Sequence, residues 1–161
     1  MLFRSCSSRI RLVIVGEGPE RAKIEMAAVH MGLTDQLVMP GFLPDPHRYI
    51  GLFDILANSS LSEQFPISVV EAMAAGVPVA AVPAGDISQM VSEANRPYIT
   101  QHSGEVDLRN AIEALAMDPA ARAAVGKANR AKAVAEYDER TMIADYARLY
   151  ETVIGRTGAL S

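Results

Sequence analysis

The stretch DILANSSLSEQFPISVVEAMAAGVPVAAV, residues 54–82, sets two short apolar runs on either side of a polar loop and a helical segment. Residues 54–57 read as a strand and residues 58–65 as a loop. A helix is expected to begin at Pro66, since proline is favoured at the first helical position, and to stop at Gly76. Residues 78–82 then read as a second strand. A strand, a helix and a second strand in this order are the repeating unit of a parallel sheet covered by helices.

The same alternation extends outward. RLVIVG, residues 11–16, is the first clear strand. After Glu17-Gly18-Pro19 a helix starts near Glu20, with Ile24, Ala27, Ala28 and Met31 in one stripe and Gly32 as its stop. A short strand at 36–39, a turn at 40–44 and a helix around 47–53 follow. Downstream, Gly85 breaks the chain before a helix at 87–91, and residues 98–100 read as a final edge strand. Three closing helices carry apolar stripes: Leu108, Ile112 and Leu115; Ala121, Val125 and Ala128; and Met142, Tyr146, Leu149, Tyr150 and Val153. The expected fold is a single α/β domain over residues 11–154, a parallel sheet with helices on both faces and a helical C-terminal extension. Residues 1–10 read as a frayed or truncated N-terminus and 155–161 as a tail. Ligands of open α/β sheets bind beyond the carboxyl ends of the strands, so the loops after Val15, Met39, Ala57 and Val82 are expected to share one rim.

Composition narrows the function classes. The 161 residues are 50% hydrophobic and 21% charged, the balance of a globular domain with a substantial core. A formal net charge of −4 supplies no basic face for a nucleic-acid backbone, so no nucleic-acid partner is expected. The sole cysteine, Cys6, excludes an internal disulfide and suits a reducing cytoplasm. No apolar run approaches the roughly 20 residues of a membrane span, which leaves room only for peripheral membrane contact. The start MLFRSCSSRIR lacks the apolar segment of a secretory signal, although its Arg/Ser-rich character also suits a transit peptide. His30, His47 and His102 have no Glu or Cys at metal-ligand spacing, and no metal is expected. Arg122, Lys127, Arg130 and Lys132 read as a solvated helix face.

The informative pair is Glu63 and Glu71. Glu63 stands in the loop before a helix and Glu71 more than one turn inside it, so the unpaired first-turn amides fall between two carboxylates. Those amides and the positive end of the helix dipole make an anion site that suits a diphosphate. An ionised carboxylate only accepts hydrogen bonds, so one acid can grip a ribose and the other a hexose. Equally, the pair reads as a charge complementing the helix dipole and a solvated surface residue.

The Glu-x7-Glu spacing with Ala72-Met73-Ala74-Ala75-Gly76-Val77-Pro78-Val79 resembles the donor-site signature of family 4 glycosyltransferases, retaining enzymes of the GT-B architecture. Val15-Gly16-Glu17-Gly18-Pro19 resembles that family's Val-Gly-x-Gly-Pro turn. Val38-Met39-Pro40-Gly41-Phe42 is similar to its strand ending in glycine, and Pro83-Ala84-Gly85 with Val91 to its next turn and helix. The resemblance spans nearly the whole chain. It implies one Rossmann-like half of a GT-B fold, the C-terminal half, which binds a nucleoside diphosphate sugar for retaining transfer to an unknown acceptor. It further implies that Glu71 bonds the ribose and that Glu63 is the catalytic residue, contacting hydroxyls of the transferred sugar. Gly16, Gln64, Phe65, Pro66 and the amides near Ser68, Val69 and Val70 would border sugar and diphosphate, and Gly41, Phe42 and Leu43 the base. No cofactor or metal is implied, because amides and basic side chains meet the phosphate charge.

Two departures accompany the resemblance. An upstream Arg and Lys that neutralise the leaving diphosphate, and the acceptor-binding N-terminal half, are expected to lie outside this chain. Gln64 and Pro66 stand where many members have glycine, which leaves the sugar open. Alternatives from other classes are a non-catalytic nucleotide- or sugar-binding module and a structural or regulatory α/β domain. A related sugar epimerase is disfavoured by the Glu-x7-Glu spacing followed by Gly-Val-Pro-Val.

Overall fold

A run of β-branched residues, Val13, Ile14 and Val15, favours extended backbone, and it forms the first strand of the computed structural model, which describes residues 10–155. The expectations for residues 1–9 and 156–161 lie outside the described residues. The chain divides into two compact units, the first ending at Pro46 and the second beginning at His47. In the first, β1 (Leu12–Val15) pairs in parallel with β2 (Leu37–Gly41), and α1 (Arg21–Met31) supplies the crossover. Gly16, at φ 126, ends β1 and donates its amide to the Gly41 carbonyl at 2.9 Å. Gly32, at φ 68, closes α1, and the Leu33 amide reaches back to Ala28 at 2.8 Å. The expected α1 stripe is only partly realised. Ala28 is buried and Ile24 half-buried, whereas Ala27 and Met31 are exposed, because within this unit a two-stranded sheet covers a narrow strip of one helix.

In the second unit β3 (Leu56–Asn58) and β4 (Val79–Ala81) pair in parallel across α2 (Ile67–Ala74), in register Leu56 to Val79 and Asn58 to Ala81. The parallel strands thus lie in two two-stranded pieces, one in each unit. β4 is buried throughout, which explains its unbroken Val-Ala-Ala run. Ile99 adds a parallel bridge to Ala81, where an edge strand was expected. α3 (Ile87–Met90), α4 (Glu105–Met117), α5 (Pro119–Glu136) and α6 (Glu139–Ile154) follow. Val69, Met73, Val79, Ile87, Met90 and Val91 form the centre of the core. The helix expected at 47–53 is instead two single 3₁₀ turns, Pro46–Arg48 and Ile50–Leu52. Only Ile50 is buried there and Gly51 sits mid-segment, so no apolar stripe offsets the cost of a full helix.

Three polar side chains inside this core were not foreseen. Asn95 accepts from the Val79 amide and donates to the Val79 carbonyl, both at 2.8 Å. Asn129 donates to Asn95 Oδ1 at 2.8 Å and accepts from the Ser92 hydroxyl at 2.7 Å. Helix starts follow local rules: Asp118 caps α5 through the Ala121 amide at 2.9 Å with Pro119 next, and Asp138 caps α6 through the Arg140 amide at 2.8 Å. α6 differs from the other helices of this unit, because none of its residues is buried. Among the described residues, no helix is long and apolar enough to cross a membrane.

Candidate functional site

Parallel strands send their carboxyl ends to one rim, and in the second unit the loops 58–66, 82–86 and 100–104 leave β3, β4 and Ile99 there. Asn58 Oδ1 accepts the Ser60 amide at 2.9 Å, and the Ser60 hydroxyl donates to the Ser62 carbonyl at 3.2 Å, which shapes the approach to Glu63. Glu63 is half-buried and Gln64 exposed. The Asp86 amide donates to the Gln64 carbonyl at 3.0 Å. Gly85, at φ 53, permits this closeness: a Cβ there would stand 2.6 Å from the Gln64 oxygen and overlap the Glu63 carbonyl. The loop carrying Glu63 is therefore tied to the turn after β4, a contact that the sequence reading did not find.

Pro66 is buried, extended at φ −69 and ψ 112, and offers no side-chain cap to α2. Its carbonyl accepts the Val69 amide at 3.0 Å. The Ile67 and Ser68 amides precede any intrahelical acceptor. Residues three and four apart share a helix face, so Ile67, Ser68 and Glu71 lie together, with Ile67 and Ser68 exposed and Glu71 half-buried. Val69, Ala72 and Met73 form the buried face, and Val70 packs partly against the core. Around the opening of α2 the structure therefore gathers Glu63, Gln64, Phe65, Pro66, Ser68 and Glu71. Val69 and Val70 serve the core with their side chains.

Phe65 was expected beside the ligand, and 44% of its surface is exposed. Its ring also meets Tyr137 edge to face, with centroids 5.6 Å apart and planes at 77°. Burial, and secondarily the charge of Glu136, raises the Tyr137 hydroxyl above the usual tyrosine range. No sequence signal linked positions 65 and 137.

In the first unit, Gly16 and Gly41 are joined backbone to backbone, Gly41 is buried at φ 82, Leu43 is half-buried and Phe42 is exposed. A cavity of about 210 Å³ opens beside Gly16, Gly18, Pro19 and Arg21. Arg21, not singled out from sequence, pairs there with Glu17 at 3.6 Å and Glu25 at 3.0 Å and donates to the Met39 carbonyl at 2.9 Å. Among the described residues no three His, Cys, Asp or Glu side chains group as metal ligands would.

Comparison with known proteins supplies the identity. The chain is 32% identical over 146 residues to the 2-deoxystreptamine glucosyltransferase of Streptomyces kanamyceticus, covering 89% of this chain and 38% of that protein. It is 29% identical over 165 residues to a D-inositol 3-phosphate glycosyltransferase of Kribbella flavida, covering 95% and 39%. It thus spans about two-fifths of the length of these relatives. HepE of Anabaena, solved in complex with UDP-glucose, superposes with a TM-score of 0.81 at 23% identity, over 90% of this chain and 42% of that one. The C-terminal domain of the group 1 glycosyl transferase LpcC from Francisella tularensis gives 0.70 at 21% identity, over 80% and 70%. Both likenesses are of fold. The model describing group 1 glycosyl transferases matches residues 2–132, and the chain belongs to that family.

Proposed function

We propose that the chain is the C-terminal, donor-binding domain of a family 4 retaining glycosyltransferase of GT-B architecture, and that it holds a nucleoside diphosphate sugar at the opening of α2. The observation that supports this reading is the uncapped first turn of α2 between Glu63, on a loop latched at Gly85, and Glu71 on the face of Ser68. The Ile67 and Ser68 amides donate to diphosphate oxygens at the positive end of the helix dipole. Glu71 accepts from ribose hydroxyls. Glu63, the catalytic residue, accepts from hydroxyls of the transferred sugar. No metal takes part, since amides and basic side chains meet the phosphate charge. An N-terminal half supplies the acceptor and further cations, in a cytoplasmic enzyme. That HepE was solved with UDP-glucose supports a nucleotide sugar as the ligand class.

Calorimetry tests the reading. Glu71→Ala is expected to weaken nucleoside diphosphate binding by about 1.5–3 kcal/mol, roughly one to two powers of ten, through loss of charge-assisted hydrogen bonds. Equal affinities in wild type and variant sink it. A second reading, which uses the same opening of α2, is a module that binds the donor without transferring it. Mixing the chain with a separately expressed N-terminal half separates the two: donor binding with no sugar transfer favours the module.

A further inference from the structure

Tyr137 occupies the elbow between two long helices. It is the C-terminal cap residue of α5, with its amide on the Ala133 carbonyl at 2.9 Å, and the next residue, Asp138, caps α6. Its hydroxyl donates to the Met90 carbonyl at 3.2 Å, which fixes the ring against the end of α3. The ring then meets Phe65 edge to face. Phe65 lies two residues after Glu63 and immediately before Pro66, which opens α2. Tyr137 thus touches the one aromatic side chain of the loop from a point 72 residues further along the chain, anchored to a third element.

Among the described residues, two distant contacts hold the loop directly after Glu63. One is the Gln64 carbonyl on the Asp86 amide, a backbone contact, and the other is the Phe65 ring on Tyr137. The backbone is held at Gln64 and the ring at Phe65, so the two residues that directly follow Glu63 are both fixed to distant elements. We propose that Tyr137 is a positioning residue for Glu63: by holding Phe65 it aims the carboxylate at the transferred sugar, and it ties the α5–α6 elbow to the donor loop. The proposal rests on the reading of the α2 opening as the donor site. Because that reading gives Glu63 the sugar and not the nucleotide, the effect falls on the affinity that the sugar adds.

The experiment uses the whole chain in four forms: wild type, Tyr137→Leu, Tyr137→Phe and Phe65→Leu, with the Tyr137→Leu/Phe65→Leu double variant to close a cycle. An aromatic edge-to-face pair changes an equilibrium constant by about two- to tenfold. Tyr137→Leu is therefore expected to weaken UDP-glucose by that factor while leaving UDP nearly unchanged, and Tyr137→Phe, which keeps the ring but loses the bond to Met90, to fall between wild type and Tyr137→Leu. In the double variant the second change adds almost nothing. Hydrogen exchange at the Asp86 amide, which needs no ligand, is expected to accelerate in Tyr137→Leu and less in Tyr137→Phe. Equal losses for UDP and UDP-glucose, or additive losses in the cycle, reduce Tyr137 to a packing residue and overturn the proposal. Unchanged Asp86 exchange overturns it as well. A wild-type chain that binds neither nucleotide instead removes the donor-site reading itself, and the assignment of Tyr137 goes with it.

Discussion

Gly85 illustrates how a single missing methyl group can shape a site. At φ 53 its backbone is one that L side chains rarely adopt, and the carbonyls of Glu63 and Gln64 fill the space a Cβ would need. Gly85→Ala therefore meets backbone strain of about 1–2 kcal/mol together with a steric conflict that only displacement of the Glu63 loop relieves. A fall in melting temperature of several degrees, together with weaker UDP-glucose binding, is expected. Gly18→Ala is the control, since nothing lies within 4 Å of its Cβ position. If the two variants melt and bind alike, the latch does not exist. At this scale the sequence was informative where spacing sufficed. Glu63 and Glu71 stand out because eight residues and a helix start define their relation. The approach of Gly85 to Gln64 joins positions 21 apart through backbone alone, so no side-chain pattern marks it.

Among the elements, β4 pairs with β3 and is also held at Val79 by a side chain. Asn95 offers both a donor and an acceptor to Val79, and Asn129 completes it from α5. All of these atoms belong to buried groups, so each partner lost leaves a polar group in the core at a cost of about 1–3 kcal/mol. Asn95→Ala orphans the Val79 amide, the Val79 carbonyl and one Asn129 donor. Its urea midpoint is expected to fall by the equivalent of about 3 kcal/mol or more. A loss below about 1 kcal/mol means that water takes over these bonds and that the network is incidental. Elements were legible when their signals were local: Gly32 and Gly76 mark helix ends without help from the rest of the chain, whereas Pro119 and the capping aspartates emerged only from the structure. The helix expected at 47–53 gave way to 3₁₀ turns because its short window holds one buried residue. Asn95 and Asn129 carry no local signal, because their partners lie on distant segments of the chain.

For the whole molecule, the order of strands and helices followed from periodicity, and the family match over residues 2–132 agrees with the ordered motifs. Periodicity finds an apolar face but cannot tell what covers it, and α6 is the clearest case. Met142, Tyr146, Leu149, Tyr150 and Val153, expected as one stripe, are each more than half exposed, as are Ile143 and Ile154. Tyr146 and Tyr150 stack on each other, with ring centroids 6.4 Å apart. Seven large apolar side chains on one helix exceed the scattered exposure that a soluble surface normally carries. The chain is therefore expected to self-associate as its concentration rises, which sedimentation velocity measures directly. The double change Tyr146→Lys and Leu149→Lys breaks the face at its middle. It should return the chain to monomer while moving stability by only about 0.5 kcal/mol per site, because neither residue is buried. A wild-type chain that stays monomeric throughout shows that this face drives no association. A variant that melts well below wild type shows that α6 carries part of the fold after all.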